Sequence, residues 1–166
     1  RIIRPLFADM YASVEIVKYA CMKNEKVYGF AQSIVEMGHD FILCADIDRA
    51  PGVRAKKKVL HERYGLPERG HIVVIIREIE SWYLAGLDER AQHHLGIRQY
   101  GSTNHITKEI FNGMIPRHYT SRIAFMGDII DFFSIAAARE KNRSFAYFCQ
   151  KYLLLPGESS EQAPVQ

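Results

Sequence analysis

The chain has 166 residues, 48% of them hydrophobic and 25% charged, and a formal net charge of +3. Such a chain can form one globular domain with its own core. It contains no apolar run long enough to span a membrane and no secretory signal at its start. We therefore expect a cytoplasmic protein without a membrane partner. Three widely spaced cysteines predict free thiols rather than a disulfide framework or a zinc site.

Strand and helix patterns alternate in the first half of the chain. The predicted strands are 13–20, 41–45 and 71–76, and the predicted helices are 25–37, 53–64 and 79–87. Gly38 and Gly65 end the first two helices. Strands that alternate with helices of about a dozen residues indicate βαβ units and a parallel sheet. The sequence thus predicts an α/β fold, with a small parallel sheet of the TOPRIM or Rossmann type flanked by helices.

Helical periodicity dominates the second half. Apolar residues recur at helical spacing over 106–114, 121–139 and 144–155, and no segment after Asp88 has the pattern of a strand. We therefore expect an α/β core over 1–87, a helical extension packed on it over 88–155, and a polar, disordered tail over 156–166.

Four carboxylates follow the two most apolar predicted strands. Asp46 and Asp48 come at the end of strand 41–45, and Glu78 and Glu80 follow strand 71–76. Ligands of open parallel sheets bind beyond the carboxyl ends of the strands, and residues two apart share a face if the strand continues. Crowded carboxylates need a shared proton or a cation, and oxygen ligands suit Mg²⁺ or Mn²⁺. The pattern predicts a metal site formed by all four, with simple turn or helix capping as the alternative.

A basic segment follows the two aspartates. Cations at its start and on the helix 53–64 could hold a nucleic-acid backbone; the candidates are Arg49, Arg54, Lys57 and Lys58. The alternative is a solvated helix face. The segment contains no interleaved aromatic residues, so it does not by itself predict a platform for stacking single-stranded bases.

Three segments carry a resemblance to a known family. They are FILCADIDRA, VVIIREIESWYLAGLD and AAAREKNRSFAYFCQKYL. Together they resemble an uncharacterised family of TOPRIM-related proteins, many of them encoded near bacterial and archaeal defence or mobile-element genes. Its strand ending in Asp-x-Asp is matched by Asp46 and Asp48. Its later helix start is matched by Glu80, Trp82 and Ala85, and its terminal helix start by Ser144 and Phe145.

The resemblance, which extends from about residue 30 to about residue 154, implies a metal-dependent nuclease. TOPRIM domains use an Asp-x-Asp and a glutamate to bind Mg²⁺ for phosphodiester chemistry, which would make Asp46 and Asp48 catalytic. We expect Glu80, with Glu78 second, to act with them by completing or orienting the ligands of the metal. It also implies nucleic acid, or a protein of a defence system, as the partner.

The TOPRIM glutamate follows a first strand that would precede Arg1, and the start of this chain is similar to the helix after that strand. We therefore expect either an upstream strand or a chain that has abandoned catalysis. Two other functions stay open beside the nuclease: a non-catalytic TOPRIM-like module that binds protein or nucleic acid, and a small-molecule phosphohydrolase.

Overall fold

The computed structural model describes residues 2–67 and 71–153. The elements in these residues alternate strand and helix at first and are helical thereafter. In chain order they are α1 (Ile3–Leu6), a 3₁₀ turn (Tyr19–Cys21), α2 (Asn24–Glu36), β1 (Ile42–Asp46), α3 (Val53–Tyr64), β2 (His71–Ile75), α4 (Glu80–Ala85), α5 (Glu89–His94), α6 (Lys108–Met114), α7 (Arg122–Asp131), α8 (Ile135–Lys141) and α9 (Arg143–Tyr152).

The sheet of the described residues consists of β1 and β2, which run parallel and are connected through α3. The register pairs Ile42 with His71 at one end and Asp46 with Ile75 at the other. Gly65 ends α3 in the left-handed conformation, with φ of 55°, which glycine adopts without steric cost. The predicted α/β architecture, with a small parallel sheet flanked by helices, is confirmed.

The sheet separates two hydrophobic cores. Alternate residues of β2 point to opposite faces, so Ile72 and Val74 pack with α2 and α3. Val73 and Ile75 pack with the helices of the second half. Burial on both faces is typical of parallel strands. Because β2 is fixed from two sides, the loop that follows it starts from a well-anchored point.

The predicted strand over 13–20 is wrong. This stretch has no strand and forms only the 3₁₀ turn at its end. Ile16 and Val17 are 50% and 39% exposed. β-branched residues favour strands where they can pack on a half-buried pleated surface, and no such surface receives these two side chains.

The predicted helix over 121–139 is two helices. The chain leaves the helical path after Asp131, and the Ser134 N–H donates to the Gly86 carbonyl at 2.8 Å. The Ser134 hydroxyl then accepts from the Ala137 N–H at 3.2 Å and caps α8. Within α7, Phe125 and Ile129 are fully buried, whereas Ile123 is 63% exposed. The core side of α7 is therefore the one that carries Phe125 and Ile129.

Helix α4 links the two predicted parts of the chain. It lies on the N-terminal side of the predicted boundary at residue 87, but it packs against α6, α7 and α8. Trp82 and Leu84 belong to the same core as Phe125 and Phe145. The predicted disordered tail, 156–166, lies outside the described residues. None of the helices in 2–67 and 71–153 has the length and hydropathy that a bilayer crossing requires.

Candidate carboxylate site

The four predicted carboxylates lie in the loops and helix start that follow the two strands. Asp46 is the last residue of β1 and Asp48 lies in the next loop. Glu78 lies in the loop after β2, and Glu80 is the first residue of α4. Neither strand continues through its acidic pair, so the condition on which the same-face arrangement depended is not met.

Two left-handed residues turn the chain away from the sheet at this edge. Asp48 has φ of 49° and Arg77 has φ of 67°. Residues other than glycine rarely adopt this backbone conformation, and aspartate adopts it more readily than arginine. Backbone conformations of this kind cost on the order of 1 kcal/mol or more and cluster at functional sites. Both loops that carry carboxylates therefore hold a locally unfavourable conformation.

Asp46 is at the centre of the carboxylate cluster. Burial, and then the charges of Asp48 and Glu78, raise its pKa to about 6. The backbone N–H of Ile79, at the start of α4, donates to this carboxylate, and Lys56 also favours its charged form. Asp46, Asp48 and Glu78 therefore share one electrostatic environment, in which the negative charge is only partly compensated.

Asp48 and Glu78 each have a partner of their own. The Lys56 ammonium group forms an ion pair with the exposed Asp48 carboxylate. The Glu78 carboxylate accepts a hydrogen bond from the backbone N–H of Lys108, the first residue of α6. A carboxylate at a helix start is favoured by the free N–H groups and the helix dipole. The capping alternative thus accounts for part of this cluster.

Glu80, the fourth predicted carboxylate, forms a largely buried ion pair. Its side chain is 6% exposed, and it contacts the guanidinium of Arg122, whose side chain is 31% exposed. Arg122 begins α7 and also lies over the Phe111 ring, with 5.7 Å between Cζ and the ring centroid. Sequence reasoning missed Arg122 and Lys56, because nothing in local spacing shows which cation folds back onto a carboxylate.

The donor set suits a loosely held divalent cation better than a closed cage. No three His, Cys, Asp or Glu side chains within 2–67 and 71–153 are arranged so that they could together hold a metal ion. Mg²⁺ commonly uses only one or two carboxylates and keeps several waters. Asp46 with Asp48 or Glu78 meets that requirement, whereas Glu80 is already neutralised by Arg122.

The predicted basic residues are spread along the start of α3 and the loop before it. Arg49 and Arg54 are exposed. Lys58 forms an exposed ion pair with Glu62 at 3.7 Å. Lys57 lies over the ring of Tyr147, with 5.8 Å between Nζ and the centroid. Arg54 and Lys58 therefore remain solvent-facing on the helix that starts beside the carboxylates.

The raised pKa of Asp46 predicts how stability changes with pH. A folded-state pKa of about 6, above the ordinary 3.8, means that the folded protein binds this proton more tightly than the unfolded chain. The resulting stabilisation is complete below pH of about 4 and is lost as pH rises to about 6. Asp46→Asn keeps an acceptor for the Ile79 N–H and removes the charge.

Relative to wild type, Asp46→Asn should therefore become more stable by about 1 kcal/mol between pH of about 4 and about 7, a value reduced for partial solvent screening. Urea denaturation in EDTA across this range measures the difference. If the difference in stability between the variant and wild type does not change with pH, the raised pKa of Asp46 is contradicted.

No protein-family model, no curated protein and no solved structure matches the chain.

Proposed function

We propose that the chain is a TOPRIM-like, Mg²⁺- or Mn²⁺-dependent hydrolase of nucleic-acid phosphodiesters that acts in the cytoplasm. One observation carries the proposal: Asp46, Asp48 and Glu78 converge at the carboxyl ends of two parallel strands. Burial, and then the charges of Asp48 and Glu78, raise the pKa of Asp46 to about 6. That edge is where ligands of open α/β sheets bind. The resemblance to defence-associated TOPRIM proteins is the reason for proposing a defence system as its context.

Each residue has a distinct part in the proposed site. Asp46 would hold the cation with either Asp48 or Glu78 as the second carboxylate, and Arg49 and Arg54 would hold substrate phosphates at the start of α3. Lys56 and the Lys108 N–H occupy two of these carboxylates, so they would have to yield to a cation. A bound divalent ion would polarise a phosphoryl oxygen and lower the pKa of a water. Glu80, through its ion pair with Arg122, would hold the start of α4 in place.

A second candidate function is a non-catalytic TOPRIM-like module that binds nucleic acid or protein. The observation that favours it is that every one of the four carboxylates already has a partner: the Ile79 N–H, Lys56, the Lys108 N–H and Arg122. Such partners are sufficient to stabilise the carboxylates without a metal. The two functions differ in one measurable property, which is affinity for a divalent cation.

Calorimetric titration of Mn²⁺ separates the two functions. We expect wild-type protein to bind Mn²⁺ and Asp46→Asn/Asp48→Asn to bind it at least about tenfold more weakly, because two anionic ligands are lost. Asp40→Asn is the matched control, since Asp40 is exposed and lies at the opposite end of β1. Equal binding by wild type and the double variant would remove the metal site.

Cleavage of labelled oligonucleotides then tests catalysis itself. The nuclease proposal expects cleavage that requires Mg²⁺ or Mn²⁺, stops in EDTA, and is lost in Asp46→Asn/Asp48→Asn but not in Asp40→Asn. Oligonucleotide binding without metal-dependent cleavage would select the non-catalytic module.

A further inference from the structure

An exposed tyrosine on α9 stands between two clefts. Tyr147 is 46% exposed. On one side is a cleft of about 450 Å³ bounded by α3, the start of β2 and the end of α9. On the other is a cleft of about 520 Å³, which Tyr147 itself lines together with residues of α8 and α9. The ring therefore forms a ridge that a ligand in either cleft can reach.

Both clefts are positively charged. Among the described residues, the first is lined by Lys57, Lys58 and Lys151 and by one carboxylate, that of Glu62, which is already paired with Lys58. The imidazoles of His61 and His71 add further hydrogen-bonding groups. The second cleft is lined by Arg139 and Arg143, and none of its lining residues within 2–67 and 71–153 is a carboxylate. An anionic ligand is thus favoured on both sides of the ridge.

Two ammonium groups from different helices lie against the Tyr147 ring. Lys57 of α3 and Lys151 of α9 are each 5.8 Å from the ring centroid, measured from Nζ. No aromatic residue is interleaved among the cations of α3, and Tyr64 at its end is buried, so a stacking platform was not expected from the sequence. The fold supplies the missing ring from a helix about 90 residues further along the chain. Cations around an exposed aromatic ring are the combination that single-stranded nucleic-acid sites use.

We infer that this face binds single-stranded nucleic acid, with a base stacked on Tyr147 and the adjacent phosphates held by Lys57 and Lys151. A duplex buries the faces of its bases, so an exposed ring would add nothing to duplex binding. That the ligand is a nucleic acid rests on the proposed function; the inference adds that the nucleic acid binds as a single strand.

The face is continuous with the carboxylate edge through α3. Arg54, Lys58 and His61 recur at helical spacing on one side of this helix, and the distance from the first to the last is about 10 Å. The helix begins beside Asp48 and ends near the start of β2. A single strand lying along it would extend from the clefts to the carboxylates.

Fluorescence anisotropy with a labelled single-stranded oligonucleotide in EDTA tests the inference without any metal. We expect Tyr147→Ala to raise the Kd at least about fivefold, because a stacked base is lost, while Tyr147→Phe keeps wild-type affinity. Tyr28→Ala is the matched control, since Tyr28 is 47% exposed on α2. A duplex of the same sequence should bind at least about fivefold more weakly than the single strand.

A charge variant covers the case in which Tyr147→Ala does not fold. Lys151→Glu should weaken binding by at least about tenfold and reduce its salt dependence, whereas Lys26→Glu on the exposed side of α2 should not. Equal binding of duplex and single strand, equal effects of the Tyr147 and Tyr28 variants, or no binding in EDTA would overturn the inference. Intact single-strand binding without metal-dependent cleavage would overturn only the proposed hydrolase.

Discussion

Replacing Trp82 with alanine is expected to lower the free energy of unfolding by about 4 kcal/mol. Trp82 is fully buried, and its ring centroid lies 5.1 Å from those of both Phe145 and Phe148. Its indole N–H donates to the Ser144 hydroxyl at 2.8 Å. The variant loses the ring contacts and leaves a cavity in the larger core, and it removes the hydrogen bond between α4 and α9.

Urea denaturation followed by circular dichroism measures this loss, because Trp82 is the only tryptophan and its fluorescence vanishes with the substitution. Trp82→Phe is the control: it keeps most of the ring packing and should lose about 1–2 kcal/mol, chiefly from the lost hydrogen bond. The Ser144 oxygen loses its indole donor, while its hydroxyl still donates to the Asn142 side-chain oxygen at 2.8 Å. A loss below about 1 kcal/mol for Trp82→Ala would show that α4 is not held by this cluster.

Replacing Arg122 with methionine should lower the free energy of unfolding by about 3 kcal/mol at neutral pH. The Glu80 carboxylate is 6% exposed and has Arg122 as its ion-pair partner. Without the guanidinium, a nearly buried negative charge remains uncompensated. Arg98→Met, at an exposed position, should change stability by less than about 0.5 kcal/mol.

A second substitution identifies the charge as the cause. In Glu80→Gln/Arg122→Met both charges are gone, so most of the lost stability should return. If the double variant is as unstable as Arg122→Met, the loss comes from the packing of Arg122 over Phe111 instead.

Arg122→Met also tests whether Glu80 can join the proposed metal site. If the freed Glu80 carboxylate joins Asp46, Asp48 and Glu78, Mn²⁺ should bind more tightly; unchanged Mn²⁺ binding would mean that Glu80 has only a structural role.

The sequence was most informative where the local pattern and the tertiary structure require the same conformation. The helix over 53–64 and its glycine stop have the predicted bounds, and both apolar strands fall within one residue of their predicted ends. The helix has a clear terminator in Gly65, and the two strands are short apolar runs, of which β2 is buried on both faces. The stretch 13–20 has β-branched residues but no surface to pack on, and this is a property of the whole fold rather than of the segment.

The site shows the same division. The convergence of Asp46, Asp48 and Glu78 follows from parallel strands and could be predicted. The partners of Glu78 and Glu80 could not, because Lys108 and Arg122 lie thirty or more residues further along the chain. The contact between Tyr147 and Lys57 of α3 was missed for the same reason. Carboxylates that bind a cation and carboxylates that cap helices have the same residue types. Only their tertiary contacts distinguish the two.

The parallel pairing of β1 and β2 has a consequence for how the acidic loops stay opposite each other. Each strand has only five paired residues, and β2 is apolar on both sides, so a one-residue shift would meet little resistance from the hydrophobic pattern. A two-residue shift would displace Glu78 from Asp46 by about 7 Å. In the observed register the paired residues are bounded by two terminal bonds, from the Ile47 N–H to the Ile75 carbonyl and from the His71 N–H to the Phe41 carbonyl. A misaligned pair would yield a folded chain whose negative loops no longer meet.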